Sequence, residues 1–184
     1  MMRIIAGARR GKKLQTLEGL DTRPTLERVK QAVFGALQFE LEGRKVLDLF
    51  AGSGQLGLEA ISRGAAYCWF NDQSNAAFQV VQKNIAACSF EKQAKGSCVS
   101  HSMCVKMIKK AGYLPDLVFL DPPYGQGLAE DAIRQLAPIL PMGAIVVVET
   151  AAEESLSYEG LALRKEYRYG AVKITMLEKR EQEE

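Results

Sequence analysis

From Lys45 to Glu149, short apolar runs alternate with amphipathic stripes, and this alternation limits the fold more than any other feature of the chain. Lys45–Phe50, Ala66–Asn71, Leu117–Asp121 and Ala144–Glu149 read as strands, and Ser97–Ser100 as a weak one. Between them, Leu56–Ser62, Asn75–Ala87, Met103–Ala111 and Leu128–Leu140 read as helices; Phe78, Val81 and Ile85 form one of the apolar stripes. Strands alternating with helices predict a parallel sheet covered on both faces. Leu161–Tyr169 and Ala171–Leu177, turning at Gly170, read as an antiparallel hairpin at one edge. Ahead of the alternation, Arg3–Ala6 and Lys12–Leu17 read as a short hairpin around Gly7 and Gly11. Thr22-Arg23-Pro24-Thr25 reads as a turn, with Thr25 capping a helix whose apolar positions are Leu26, Val29, Val33, Phe34 and Leu37. The expected division is an N-terminal basic hairpin and helix over residues 1–40 and an α/β domain over residues 41–184, ending in a frayed Glu-rich tail.

With 184 residues, 47% hydrophobic and 25% charged, the chain has the composition of an ordered globular domain. Its longest apolar run, Gly143 to Val148, is far short of a membrane span, and Arg9-Arg10 interrupts any signal-peptide core. His101 is the lone histidine, so a His-rich zinc site is excluded, and no G-x-S-x-G elbow accompanies it. The four cysteines form no C-x-x-C pair, which points away from a metal and toward a reducing cytoplasm. Charge is unevenly placed. Residues 1–30 hold eight basic and three acidic groups, a net +5 against −3 for the rest. Arg3, Arg9, Arg10, Lys12, Lys13, Arg23 and Arg28 therefore read as contacts for a polyanion.

The first predicted strand runs into Asp48-Leu49-Phe50-Ala51-Gly52-Ser53-Gly54-Gln55-Leu56-Gly57. Gly52, Gly54 and Gly57 satisfy the G-x-G-x-x-G pattern of dinucleotide sites, so an NAD-dependent oxidoreductase is one reading. Asp48 opposes it, because a carboxylate beside the loop repels a pyrophosphate. The same carboxylate suits S-adenosylmethionine, which carries an ammonium, a sulfonium and no phosphate. At the end of the next strand, Asn71 stands in register for a ribose hydroxyl and Asp72 follows it.

Asp121-Pro122-Pro123-Tyr124 follows the most apolar strand, at the sheet edge where open α/β folds place ligands. An exocyclic base amine is a poor nucleophile because its lone pair is conjugated into the ring. Two acceptors, the Asp121 carboxylate and the Pro122 carbonyl, can draw that nitrogen toward tetrahedral geometry. The prolines stiffen the backbone, and Tyr124 offers a ring face for a flipped-out base.

With both motifs, the chain resembles the class I SAM-dependent amino-methyltransferases and is most similar to the RsmD-type family of bacterial small-subunit rRNA guanine-N2 methyltransferases. The resemblance also includes Arg3-Ile4-Ile5-Ala6-Gly7 with Gly11, Thr22-Arg23-Pro24-Thr25 with Arg28-Val29 and Phe34, and Tyr169-Gly170. It implies a Rossmann-like, mostly parallel seven-stranded sheet whose last strand is antiparallel. It implies methyl transfer from S-adenosylmethionine to guanine 966 of 16S rRNA, within the small ribosomal subunit, by a cytoplasmic monomer that needs no metal. Asp48, Phe50, Ala51, Gly52, Gly54, Asn71, Asp72 and Ser102 would hold the cofactor. Two positions depart from the family: Asn71 stands where it usually has Glu, and Ser102 where Asp or Asn is expected near the adenine amine. The other readings are a DNA adenine-N6 or cytosine-N4 methyltransferase, the oxidoreductase, and a non-catalytic RNA-binding assembly factor.

Overall fold

The structure, a computed structural model, describes residues 2–17 and 24–181. The turn residues Thr22 and Arg23 and the end of the acidic tail lie outside them. The elements run α1 (Pro24–Ala36), β1 (Lys45–Asp48), α2 (Gln55–Ser62), β2 (Tyr67–Asn71), α3 (Asn75–Ala87), β3 (Ala94–Ser97), α4 (His101–Lys110), β4 (Leu117–Leu120), α5 (Leu128–Leu136), β5 (Ile145–Ala151), β6 (Ala162–Tyr169) and β7 (Val172–Glu178). The seven strands form one sheet in the order β3-β2-β1-β4-β5-β7-β6. β7 alone runs against its neighbours.

Alternate residues of the strands feed two cores. Val46, Phe70, Phe119 and Val147 pack with α1, α2 and α3 through Phe34, Leu58 and Val81. Leu47, Trp69, Val118 and Val146 pack with α4 and α5 through Ile108 and Ile133. A buried strand with both faces covered is apolar at every position, as Leu117–Leu120 shows.

Several boundaries differ from the sequence reading; α5, for one, ends at Leu136 and not Leu140. β3 lies at Ala94–Ser97, ahead of the expected Ser97–Ser100. It is an edge strand with an exposed Lys95 and a Gly96 that Phe78 overlies, so it carries no apolar signal. α4 begins at His101, not Met103, because Ser100 caps it and accepts from Met103 N. α1 begins at Pro24, placing the proline in the first turn and Thr25 inside the helix.

The N-terminal residues share a core with the α/β sheet. Ile4 and Leu14 are buried in the same cluster as Val33 and Phe34. The expected hairpin is reduced to one antiparallel bridge, Arg3 with Lys13. Glu59 of α2 is fully buried and accepts from the backbone N–H of Ile5 (2.8 Å) and Ala6 (3.0 Å). Arg63 Nε (2.8 Å) and Lys30 Nζ (3.1 Å) complete its shell. A buried charge with four partners is tolerated, whereas removing one side of such a pair costs about 3–5 kcal/mol. Gly7 sits at φ +83°, where an added Cβ would lie 1.8 Å from the Ser62 carbonyl oxygen. Only glycine permits that approach, which fastens the hairpin turn to the C-terminal end of α2.

Candidate active site

The carboxyl ends of β1, β2 and β4 surround a cleft of about 1070 Å³. Strand order reverses between β1 and β4, and open α/β sheets bind ligands at such a switch point. Nine of the expected residues line the cleft: Phe50, Ala51, Gly52, Asn71, Asp72, Asp121, Pro122, Pro123 and Tyr124. The β6–β7 turn, Gly170–Val172, closes one side, and Met2 and Leu17 of the N-terminal segment another.

Asp48, expected to meet the ligand's cations directly, does not line the cleft. It is 1% exposed, under the glycine loop, and Oδ2 accepts from Gly57 N at 3.0 Å. The physical reason is the end of α2. Its N-cap is Gly54, which has no side chain to offer the first-turn N–H groups, so Asp48 supplies the acceptor from the strand. Burial, with a smaller push from Asp72, raises the Asp48 carboxyl to about 7 against the opposing Gly57 bond. Gly54 also stays off the wall: its backbone is left-handed (φ +79°), and a Cβ added there would point at Leu58, Phe70 and Val81, 3.5 Å away. Gly52 (φ +57°) has open space where a side chain would stand.

Asp72 holds the loop from the other side. Oδ2 accepts from Gly52 N (2.9 Å) and Oδ1 from Ser74 N (2.9 Å). The Gly52 N–H, which a dinucleotide phosphate would need, is therefore already bonded to a carboxylate. Asn71 spends its amide on the protein. Nδ2 donates to Leu49 O (3.2 Å) and Val99 O (3.0 Å), and Oδ1 accepts from Ser97 Oγ (2.8 Å). Asn71 thus ties three strand ends together, and Asp72, half-buried, has the more open side chain.

Ser102 is turned away from the cleft and accepts from Gln135 Nε2 (2.8 Å). The residue on the wall is its neighbour His101, whose ring lies 5.6 Å from that of Phe50 and whose Nε2 is 2.6 Å from Asp131 Oδ2. The early start of α4 places His101 in its first turn, at the rim.

Asp121 stands at the far end. Among the described residues no group donates to its carboxylate, although burial holds it well above the usual Asp range, with further pushes from Glu149 and Asp48. Tyr124 is 44% exposed, with its hydroxyl donating to Glu149 Oε1 at 2.7 Å. Burial also raises Glu149, against the pull of that hydrogen bond. The sequence marks Glu149 only as a strand end. Its place beside Asp121 depends on β4 and β5 being neighbours, which no local pattern encodes.

The basic residues divide. Arg10, Lys12, Lys13 and Arg28 are exposed. Arg3 pairs with Glu27 at 3.7 Å, and Arg9 donates to the Cys88 carbonyl (2.7 Å) beneath the cation–π contact with Phe90. The turn bearing Arg9 and Arg10 lies at the Ser62 end of α2, the end away from the glycine loop. Arg23 lies outside the described residues. Among those described, no helix is long and apolar enough to cross a membrane, and no three His, Cys, Asp or Glu residues cluster as a metal site requires.

Comparison with known proteins agrees with this geometry. The family model described as "Conserved hypothetical protein 95" matches residues 2–178. The ribosomal RNA small subunit methyltransferase D of Haemophilus influenzae is 38% identical over 178 residues, covering 93% of this chain and 90% of its own. The Escherichia coli protein of that name is 36% identical over 157 residues, covering 84% and 77%. A solved Escherichia coli structure described as a methyltransferase, yhhF, superposes with a TM-score of 0.83 at 30% identity, covering 98% of this chain and 99% of that one.

Proposed function

Because the chain belongs to the Conserved hypothetical protein 95 family, that of ribosomal RNA small subunit methyltransferase D, we propose that its cleft transfers a methyl group from S-adenosylmethionine to the exocyclic N2 of a guanine in 16S rRNA. The observation that carries the reading is Asp121: a half-buried carboxylate without a donor among the described residues, beside Pro122 and an exposed tyrosine ring on the wall of the cleft. A carboxylate partly withdrawn from water is short of hydrogen bonds, and here the ligand supplies them.

The cofactor supplies a methyl group on a positively charged sulfur, which leaves as a neutral thioether. Phe50 and His101 offer ring surface for an adenine, Asp72 an acceptor for the ribose, and Gly52 the space for close approach. Asp72 places a carboxylate behind the loop, which favours a cation over a phosphate. At the other end, Tyr124 stacks the base. Asp121 and the Pro122 carbonyl accept from the two N–H groups of the amine and turn its lone pair out of the ring plane. The released proton passes to Asp121 Oδ. Holding both reactants in line supplies most of the acceleration.

The substrate RNA is read as part of the small ribosomal subunit in the cytoplasm, with guanine 966 as the target and a monomer as the acting form. Arg10, Lys12, Lys13 and Arg28 supply phosphate contacts along one flank. Each replaced by Ala should lower the salt slope of RNA binding by roughly 0.7–0.9. The test is transfer of tritiated methyl to small subunits from cells lacking the enzyme, followed by nucleoside analysis. Label in N2-methylguanine supports the reading. Label in N6-methyladenine of DNA, or none in rRNA, overturns it.

A further inference from the structure

Glu149 has no part in the chemistry just described, yet it borders the reacting group. Leu120 and Val148 pair in parallel register, so Asp121 and Glu149 are the next two positions, side by side at the sheet edge. Neighbouring strands lie about 4.8 Å apart, within the span of one base edge. Both carboxylates point to the α1 face, as Phe119 and Val147 do two residues earlier. Both line a small cavity of about 30 Å³, whose walls Leu26, Gln55, Leu56 and Asp121 also belong to the main cleft. One Glu149 oxygen accepts from Tyr124, the stacking ring. Among the described residues nothing donates to the other oxygen, nor to either oxygen of Asp121. Lys30, the cation on the same cavity, is bonded to Glu59 and to the Arg3 carbonyl instead.

Two adjacent carboxylates, with three of their four oxygens lacking a donor among the described residues, call for a ligand edge with adjacent donors. Guanine presents N1–H beside its N2 amine. Adenine and cytosine present a ring-nitrogen lone pair beside theirs, which would face a carboxylate oxygen at a cost. We infer that Glu149 is a specificity-determining residue that accepts from the base N1–H while Asp121 holds the N2 amine. The inference rests on the guanine-N2 reading and deepens it. A site built to hydrogen-bond a substrate N–H rejects the analogue lacking it by large factors, because its own polar group is left unpaired.

2-Aminopurine is the discriminating probe, since it keeps the N2 amine but has a lone pair at N1. Small subunits carrying guanine or 2-aminopurine at the target position would be compared under single-turnover conditions. The wild-type protein should methylate guanine at least ~100-fold faster. Glu149→Gln can turn an amide N–H toward the N1 lone pair while its oxygen still accepts from Tyr124, so its preference should fall below about 10-fold. Glu149→Asp, which withdraws the carboxylate by one methylene, should also lose at least ~10-fold of the preference, and it keeps the test open if the Gln variant does not fold. Equal wild-type rates on the two bases, or a folded Glu149 variant that retains the full preference, would overturn the inference. A wild-type protein that places no methyl on guanine would instead overturn the reading beneath it.

Discussion

The two ends of the cleft use the same side chain for opposite purposes. At the glycine loop the carboxylates are occupied by backbone: Asp48 by Gly57 N, Asp72 by Gly52 N and Ser74 N. At the other end Asp121 has no donor among the described residues, and Glu149 has only the Tyr124 hydroxyl. An acid that holds a loop in shape has a resident donor before any ligand arrives, and offers a ligand only its remaining lone pairs, as Asp72 does to a ribose. An acid that acts on a ligand has kept its lone pairs, and the fold bears the burial cost until the ligand comes. Acidic residues in a cleft are therefore sorted by what already donates to them, not by their distance from the glycine motif.

The largest effect expected from this contrast concerns Asp48. Its folded value, about 7, lies above the ordinary 3.8, so the folded state holds that proton more tightly. The stabilisation is complete below the unfolded value and is lost as pH rises through about 7. A rise of that size corresponds to roughly 4 kcal/mol at most. Urea unfolding at pH 5 and pH 8 should show wild-type protein losing stability across that window. Asp48→Asn keeps an acceptor for Gly57 and should show a markedly flatter profile. An identical pH dependence in both proteins would mean that Asp48 is ionised throughout and is not the buried cap described here.

Asp121→Asn comes next. It should leave cofactor affinity within a few-fold and lower turnover about 100- to 1000-fold, the scale of one preorganised polar contact in a transition state. The wild-type rate should also fall on acidification at a pH above the usual Asp range, because burial and Glu149 both raise Asp121 and only the ionised form can take the proton the amine releases. A pH–rate profile with its acid limb near the ordinary value of 3.8 would place Asp121 in a more polar setting than this one.

How much of this is legible in the sequence depends on the range of the interaction involved. Strands β1, β2, β4 and β5 are readable because burial on both faces makes a strand apolar throughout, as in Val46-Leu47 and Leu117–Leu120. β3 is not, because Lys95 and Gly96 sit on an exposed edge where pairing needs no apolar side chain. The two ligand motifs are readable as turn chemistry following strands. The orientation of Asp48 is not, since it depends on α2 folding back over the strand end. Ser102 is named by the resemblance alone; the structure turns it to Gln135 and puts His101 on the wall, a tertiary outcome that no local pattern encodes. Glu149 and the Gly7–Ser62 contact are purely tertiary. The excess of basic residues is real in the sequence, and Arg3 and Arg9 stay exposed while also contacting Glu27 and the Cys88 carbonyl with the Phe90 ring, respectively, which the sequence does not foretell.

The smallest expected effect separates the two ends most directly. Asp72 and Asp121 both line the cleft, and both would be named as acidic site residues on position alone. Asp72 already bonds Gly52 and Ser74 through separate oxygens. Asp72→Asn retains one acceptor oxygen and replaces the other with a donor facing a backbone N–H. One of the two bonds is lost, and net loss of such a bond is worth about 1–1.5 kcal/mol. The loop then holds its ligand-bound shape less often, so the cofactor dissociation constant measured by calorimetry should rise about 10-fold, while turnover at saturating cofactor stays within about twofold of wild type. Asp121→Asn should give the reverse pattern, with binding kept and turnover lost. If Asp72→Asn instead reduced turnover at saturation as severely as Asp121→Asn, loop-holding and ligand-acting acids would not be distinguishable by their resident donors.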